Sequence, residues 1–261
     1  MDLHYKNIEI SYTDTGSGNT IILLHGFLEN QTMWEFFVQQ YSQSYRVITI
    51  DLLGHGKTPC IGYVHTMEDQ ADVVYAVVNH LQVSNAIIMG HSMGGYIALA
   101  FANLYPEMVK GIVLSNSSAL EDNPEKKANR VRAIKAVKQD AKNFVRISIA
   151  NLFSEDNRER LADEIEVLKK QAVKTPQQGI IAALEGMKMR EDRQRLLHEG
   201  KFAILLVLGE KDQSLPYQDH APQAEATAVQ LVTYPNGHMA HIENRDALLA
   251  ETLAFFKQVF A

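Results

Sequence analysis

The chain has 261 residues, 46% of them hydrophobic and 21% charged, and carries a formal net charge of −6 at pH 7. That length and apolar share suit one α/β domain with a full core, and no apolar run approaches the roughly 20 residues of a membrane span. The acidic balance argues against nucleic acid as the main partner.

Ile8-Glu9-Ile10-Ser11-Tyr12 alternates apolar and polar residues, the pattern of an antiparallel edge strand. Gly16-Ser17-Gly18-Asn19 marks a turn. Ile21–Leu24 is a continuous apolar run, suited to a strand buried on both faces, and it ends in His25-Gly26-Phe27-Leu28. Met33, Trp34, Phe37 and Val38 trace a helix. Val47–Ile50 is the next strand, followed by Asp51-Leu52-Leu53-Gly54-His55-Gly56-Lys57-Thr58. Ala71, Val74, Val77, Val78 and Leu81 mark a helix from Met67 to Leu81.

Next comes an apolar run, Ala86–Met89, then Gly90-His91-Ser92-Met93-Gly94, then Tyr96, Ile97, Leu99, Ala100 and Leu104 at helical spacing. Strand, sharp turn and helix are the context of a nucleophile elbow. Without Cβ atoms, Gly90 and Gly94 let strand and helix approach closely. Ser92 is then held in a strained conformation with its hydroxyl exposed, beside the free N–H groups of a helix N-terminus.

Ile112–Leu114 is another buried strand. Residues 118–188 then break the alternation. They hold three helical stripes: Val131, Ile134, Val137, Ala141, Phe144, Val145 and Ile149; Leu161, Ile165, Leu168 and Ala172; Ile180, Ile181, Leu184 and Met187. The core resumes with a helix at 190–199, strands at Ala203–Leu208 and Ala228–Tyr234, and a closing helix at Ala247–Phe260. Strands alternating with helices imply a mostly parallel sheet with helices on both faces. The expected fold class is thus α/β, with 1–117 and 189–261 as core and 118–188 as an inserted helical lid. Charge is uneven: residues 120–200 hold 17 Lys/Arg against 14 Asp/Glu. The basic excess at Lys126–Arg146 reads as a solvated helix face, with a cationic rim steering acidic substrates as the sharper reading.

A serine hydroxyl needs a base to act as a nucleophile. His238 follows the last core strand at the sheet's C-terminal edge, where Ser92 also lies and where open parallel sheets bind ligands. His241, three residues on, is its competitor. His91 adjoins Ser92 but points elsewhere from the elbow, and His25 braces its own loop. Asp212 ends the preceding strand and is the expected acid that orients the imidazole, with Glu210 as the spare carboxylate. Asn116, after the strand that follows the elbow, offers no acid. The backbone N–H groups of Met93 and Phe27 are the candidate oxyanion hole. Gly54-His55-Gly56-Lys57 lacks the spacing of a phosphate loop, and no dinucleotide fingerprint follows a strand. His238, His241 and Glu243 lack the helical H-E-x-x-H spacing of a zinc site, so no metal is expected there. The chemistry calls on no metal and no cofactor.

Taken together, five motifs in order resemble the α/β-hydrolase superfamily over essentially the whole chain. They are His25-Gly26-Phe27, Asp51–Thr58, Gly90–Gly95, Gly209-Glu210-Lys211-Asp212 and Gly237–Glu243. The resemblance implies a Ser–Asp–His triad at Ser92, Asp212 and His238 and oxyanion positions at Phe27 and Met93. Dehalogenase-like and epoxide-hydrolase-like members carry Asp where this chain has Ser92, so those activities are disfavoured. Thr58 stands where serine is common, a departure expected to be harmless. The implied function is a serine hydrolase cleaving a small carboxylic ester through an acyl-enzyme. Alternatives on the same triad are a C–C bond hydrolase or lyase of the menaquinone-pathway or diketone type, or a thioesterase; a non-catalytic ligand receptor is the last. Phe144 and Leu152 read as lid core or as walls of an acyl pocket. The expected partner is a small-molecule substrate, with no membrane and either a monomer or a homodimer. The single cysteine, Cys60, excludes an internal disulfide. With an N-terminus unlike a signal peptide, it makes the cytoplasm the expected compartment.

Overall fold

The computed structural model describes residues 1–261. Its strands in chain order are Asp2–Tyr5 (β1), Ile8–Thr15 (β2), Thr20–Leu24 (β3), Arg46–Ile50 (β4), Ala86–His91 (β5), Val109–Ser115 (β6), Ala203–Gly209 (β7) and Gln230–Tyr234 (β8). They form one sheet in the order β1-β2-β4-β3-β5-β6-β7-β8. Pairing is antiparallel at β1–β2 and β2–β4 and parallel elsewhere. The helices are Glu35–Tyr41 (α1), Met67–His80 (α2), Met93–Leu104 (α3), Pro124–Asn151 (α4), Ala162–Ala172 (α5), Gln177–Met189 (α6), Gln194–His198 (α7), Tyr217–His220 (α8), Ala240–Glu243 (α9) and Arg245–Phe260 (α10). No helix is long and apolar enough to cross a membrane.

The apolar runs are continuous because the sheet is covered on both faces. In β3, Ile22 and Leu24 pack into one cluster with α2 and α3, while Ile21 and Leu23 pack into another with Trp34, Phe37, Phe255 and Phe256. The alternating residues of one strand thus serve two cores. A capping box starts α2: Thr66 Oγ1 accepts the Asp69 N–H at 3.0 Å, and Asp69 Oδ2 accepts the Thr66 N–H at 3.1 Å.

Four details differ from the sequence reading. The helix expected at 190–199 spans only Gln194–His198, because Arg190 leaves helical geometry at φ −58°, ψ 139° with its side chain turned to the Leu120 carbonyl and Asp122. Ile8–Thr15 is not the edge; β1 lies outside it. The two are joined through Lys6 and Asn7, at φ 45° and 69°, the left-handed pair that a tight hairpin needs. The last strand starts at Gln230 rather than Ala228. Thr227 Oγ1 bonds the Ala224 carbonyl and the Val229 N–H, keeping the chain turning up to that point. Finally, the first stripe of 118–188 is not one straight helix. Asp140 leaves helical geometry at φ −153°, ψ 90°, and its Oδ1 accepts the Asn143 N–H at 3.0 Å, capping the second half of α4.

Residues 118–188 contain α4, α5 and α6 and no strand. They are fastened to the sheet domain by backbone and by charge. The His65 N–H donates to the Ala182 carbonyl at 3.0 Å, and Lys211 pairs with Asp156. The larger apolar cluster contains Ile134, Val137, Ile149, Ile180 and Leu184 together with strand residues of the sheet.

Candidate active site

Ser92 sits between β5 and α3 at φ 50°, ψ −114°. A side chain held there costs about 1–3 kcal/mol, which the surroundings must supply. The Ser92 N–H donates to Ser115 O at 3.0 Å, and its carbonyl accepts from Ser117 Oγ at 2.7 Å and from the Gly95 N–H at 2.9 Å. The turn is too crowded for a Cβ on its second glycine: one added at Gly94 would lie 2.3 Å from the Leu24 carbonyl oxygen. The helix therefore presses against β3, and the hydroxyl is left facing outward.

His238 follows β8 in a loop that reaches back over the elbow. Its Nε2 lies 2.9 Å from Ser92 Oγ, and its Nδ1 lies 2.6 Å from Asp212 Oδ2. Asp212, in the turn after β7, accepts the Ser214 and Leu215 N–H groups on Oδ1, both at 2.8 Å. Burial pushes the Asp212 carboxyl up, but the His238 ring and these donors outweigh it and hold it below the usual carboxylate range. Asn116 donates to Asp212 Oδ2 at 3.4 Å and to the Gly237 carbonyl at 3.2 Å. It is no acid, but its amide joins both loops. Glu210 is exposed and outside this arrangement.

Phe27 lies in the loop after β3. Its N–H finds no acceptor in the protein, and Met93 opens the first turn of α3. The loop is braced as expected from His25. The His25 ring accepts the Leu52 N–H at Nε2 (3.0 Å), so Nδ1 carries the hydrogen and donates to the Gly26 carbonyl at 2.8 Å. The motif Asp51–Thr58 is structural: Asp51 accepts the backbone N–H of Gln31 at 2.8 Å and of Lys57 at 2.9 Å.

Glu29 is the residue that sequence reasoning missed. Its Oε2 accepts the Gly26 N–H at 2.8 Å and bonds His91 Nδ1 at 2.8 Å. His91 Nε2 faces the His238 carbonyl at 2.9 Å. Both ring nitrogens of His91 thus meet acceptors, so both carry hydrogen and the ring is an imidazolium. Burial opposes the charge, but Glu29 outweighs it and raises His91. Burial likewise pushes Glu29 up, and His91 and its neighbours pull it down to about 2. One buried ion pair therefore ties the Gly26–Phe27 loop to the backbone of His238. His241 stays out: it is buried beside Trp34, and burial lowers it to about 3. Glu29, His91 and His241 bring their donor atoms within 4.8 Å of one another. With Oε2 already committed to His91 and Gly26, the cluster reads as an ion pair with a neutral neighbour. The only sequence signal for Glu29 is a carboxylate three residues after Gly26, which carries no chemistry until the fold brings His91 to it.

A second carboxylate fastens the His238 loop from below. Glu243 Oε1 accepts from Ser154 N, Ser154 Oγ and Asn157 Nδ2 at 2.8–3.0 Å, and Oε2 accepts the Gly237 N–H at 3.0 Å. The His238 N–H itself donates to the Leu152 carbonyl at 2.8 Å. A Cβ at Gly237 would meet Ser154 N at 2.6 Å, so the close contact requires glycine. Above Ser92 opens a cavity of about 430 Å³, with Phe27, Tyr96, Phe144, Leu152 and Met187 among its walls. Phe144 and Leu152 are thus pocket walls as well as packing for the inserted helices.

A family model for the alpha/beta hydrolase fold matches residues 19–245, and the chain belongs to that family. It is similar, at 29% identity over 253 residues, to the dihydrolipoyllysine-residue acetyltransferase component of the acetoin cleaving system of Pseudomonas putida. That match covers 93% of this chain and 65% of the relative's length. A putative 2-succinyl-6-hydroxy-2,4-cyclohexadiene-1-carboxylate synthase of Bacillus subtilis is 25% identical, over 87% of this chain and 86% of that protein. Among solved structures, a thermophilic esterase from Thermogutta terrifontis with malate bound matches with a TM-score of 0.91 at 31% identity, covering 97% of this chain and 95% of that one.

Proposed function

We propose that the protein is a serine hydrolase that cleaves a small carboxylic ester through an acyl-enzyme, with residues 118–188 as its lid. The observation that carries this reading is the line of contacts from Ser92 Oγ to His238 Nε2 at 2.9 Å and from His238 Nδ1 to Asp212 at 2.6 Å. Ser92 Oγ attacks the ester carbonyl carbon while its proton passes to His238 Nε2. The carbonyl oxygen takes the negative charge and is held by the Phe27 and Met93 N–H groups. The Asp212 carboxylate stabilises the imidazolium. The tetrahedral species collapses, the C–O bond to the alcohol breaks, and His238 returns its proton to the leaving oxygen. Water then gives a proton to His238 and attacks the acyl carbon; collapse restores the Ser92 hydroxyl and frees the acid. The likeness to the Thermogutta terrifontis esterase supports this reading.

Ser92→Ala is expected to lower kcat on a nitrophenyl ester by about four decades or more and to abolish labelling by a fluorophosphonate probe. Retained ester turnover in that variant would sink the proposal. A second reading, a C–C bond hydrolase or lyase on the same three residues, is favoured by the likeness to the Bacillus subtilis protein. It predicts probe labelling with negligible ester turnover.

A further inference from the structure

The cavity above Ser92 carries charge of one sign. None of its 18 lining residues is Asp or Glu, whereas Lys126 and Arg130 both line it, in a chain whose net charge is −6. The two cations differ in what they are free to do. Arg130 donates from Nε to Asp122 at 2.8 Å, and the same buried carboxylate pairs with Arg190. Lys126 has no carboxylate partner: its Nζ donates to the Ser214 carbonyl at 3.0 Å.

Two arginines and one lysine therefore surround a single carboxylate, and the surplus positive charge meets the cavity at the Lys126 ammonium. Burial pushes Lys126 down, the Arg130 and Arg190 charges push it the same way, and Tyr96 and Asp122 compensate in part. A half-buried ammonium among like charges gains when an anion reaches it. Lys126 and the nucleophile Ser92 line the same cavity. Tyr96 lies one helical turn after Ser92, shares the cavity wall with Lys126, and holds its ring 4.0 Å from the Arg190 guanidinium. The remaining basic residues of the run do not take part: Lys127 pairs with Glu121 at 2.6 Å, Arg132, Lys135, Lys138, Lys142 and Arg146 are exposed, and none of the six lines the cavity.

We propose that Lys126 is an anion subsite and that the substrate is an ester bearing a second, free carboxylate. Both arginines already share Asp122, Arg130 through its Nε, so the cation at the cavity without a carboxylate partner is the Lys126 ammonium, a point charge matched to one carboxylate. The subsite rests on the ester-hydrolase reading for its reaction but not for its binding, so the two are tested apart. Glutarate binding is measured by titration calorimetry on the Ser92→Ala protein with and without Lys126→Met. Hydrolysis of monoethyl glutarate and ethyl pentanoate, equal in acyl length, is followed in the native protein and in Lys126→Met.

Glutarate is expected to bind the Ser92→Ala protein, and Lys126→Met to weaken it by about tenfold or more. The kcat/KM ratio of the charged over the neutral ester is expected to fall by a similar factor in Lys126→Met, mainly through KM, and to stay put in the surface variant Lys135→Met. Glutarate binding indifferent to Lys126, tighter binding of inorganic phosphate than of glutarate, or an ester ratio untouched by Lys126→Met would each overturn the subsite. Lys126-dependent glutarate binding in a protein that turns over neither ester upholds the subsite and removes the ester reading. Turnover of both esters with no Lys126 effect does the reverse.

Discussion

Glu29 accomplishes more than its place in the sequence suggests. A carboxylate and an imidazolium buried together are costly to desolvate, and breaking such a pair from one side leaves an unpaired charge inside the protein. Here the pair also neutralises a cation whose ring centre is 5.1 Å from that of His238. The pH dependence follows from the direction of the shifts. Glu29 falls from an ordinary 4.5 to about 2, so folding favours its carboxylate. That stability is complete above about pH 4.5 and is lost as pH falls towards 2, and Asp212 adds a loss of the same sign. His91 is raised, so the same pair weakens as pH climbs through its raised value. Glu29→Gln is expected to cost about 3 kcal/mol at neutral pH and to flatten the loss of stability between pH 4.5 and 2. Thermal melts across that range check this; an unchanged acid slope would remove Glu29 from the account.

Among the elements, the segment that departs most from a regular α/β alternation is also the one that holds the His238 loop. The end of α4 runs into Leu152–Ser154, whose backbone meets Gly237 and His238 directly. Glu243 closes the junction, with one oxygen for Ser154 and Asn157 and the other for Gly237. A glutamine keeps the shape but turns one acceptor into a donor that faces N–H groups. Glu243→Gln is therefore expected to lower kcat by about ten- to a hundredfold with a smaller change in KM, since the loop carrying His238 loses its anchor. A parallel slowing of fluorophosphonate labelling would locate the fault at the Ser92–His238 contact. Native rates in both assays would show that the junction is dispensable. The sequence marked this region only by the spacing of its apolar residues. That spacing revealed helices, but not the bend at Asp140, because an isolated Asp in a basic run reads the same in a surface turn as in a cap.

Across the whole molecule, the inserted helices share a single apolar cluster of 49 buried residues with the sheet domain. Lys211–Asp156 and the His65–Ala182 backbone bond cross the same boundary. A segment joined by a continuous core has no independent interior to preserve when the rest unfolds. Calorimetry is thus expected to give one transition, with calorimetric and van't Hoff enthalpies in agreement; an early transition confined to the helical segment would contradict this. Net charge also acts at this scale. The protein repels anions in bulk, while the cavity wall at Lys126 and Arg130 attracts them locally.

The sequence by itself determined all strands but β1 and the order of motifs along the chain, because buried parallel strands need unbroken apolar runs and a tight strand-to-helix turn needs glycines where Gly90 and Gly94 stand. It also marked Ser92, Asp212 and His238, because each follows a strand end at the rim where loops converge. Only the tertiary structure decided which partners those loops would have. Glu29 with His91, Glu243 with Ser154, and Lys126 without a counter-charge are all pairings across long sequence distances. Local pattern cannot encode them: hydrogen bonds and charges act through space, and only the folded chain sets how far apart they are.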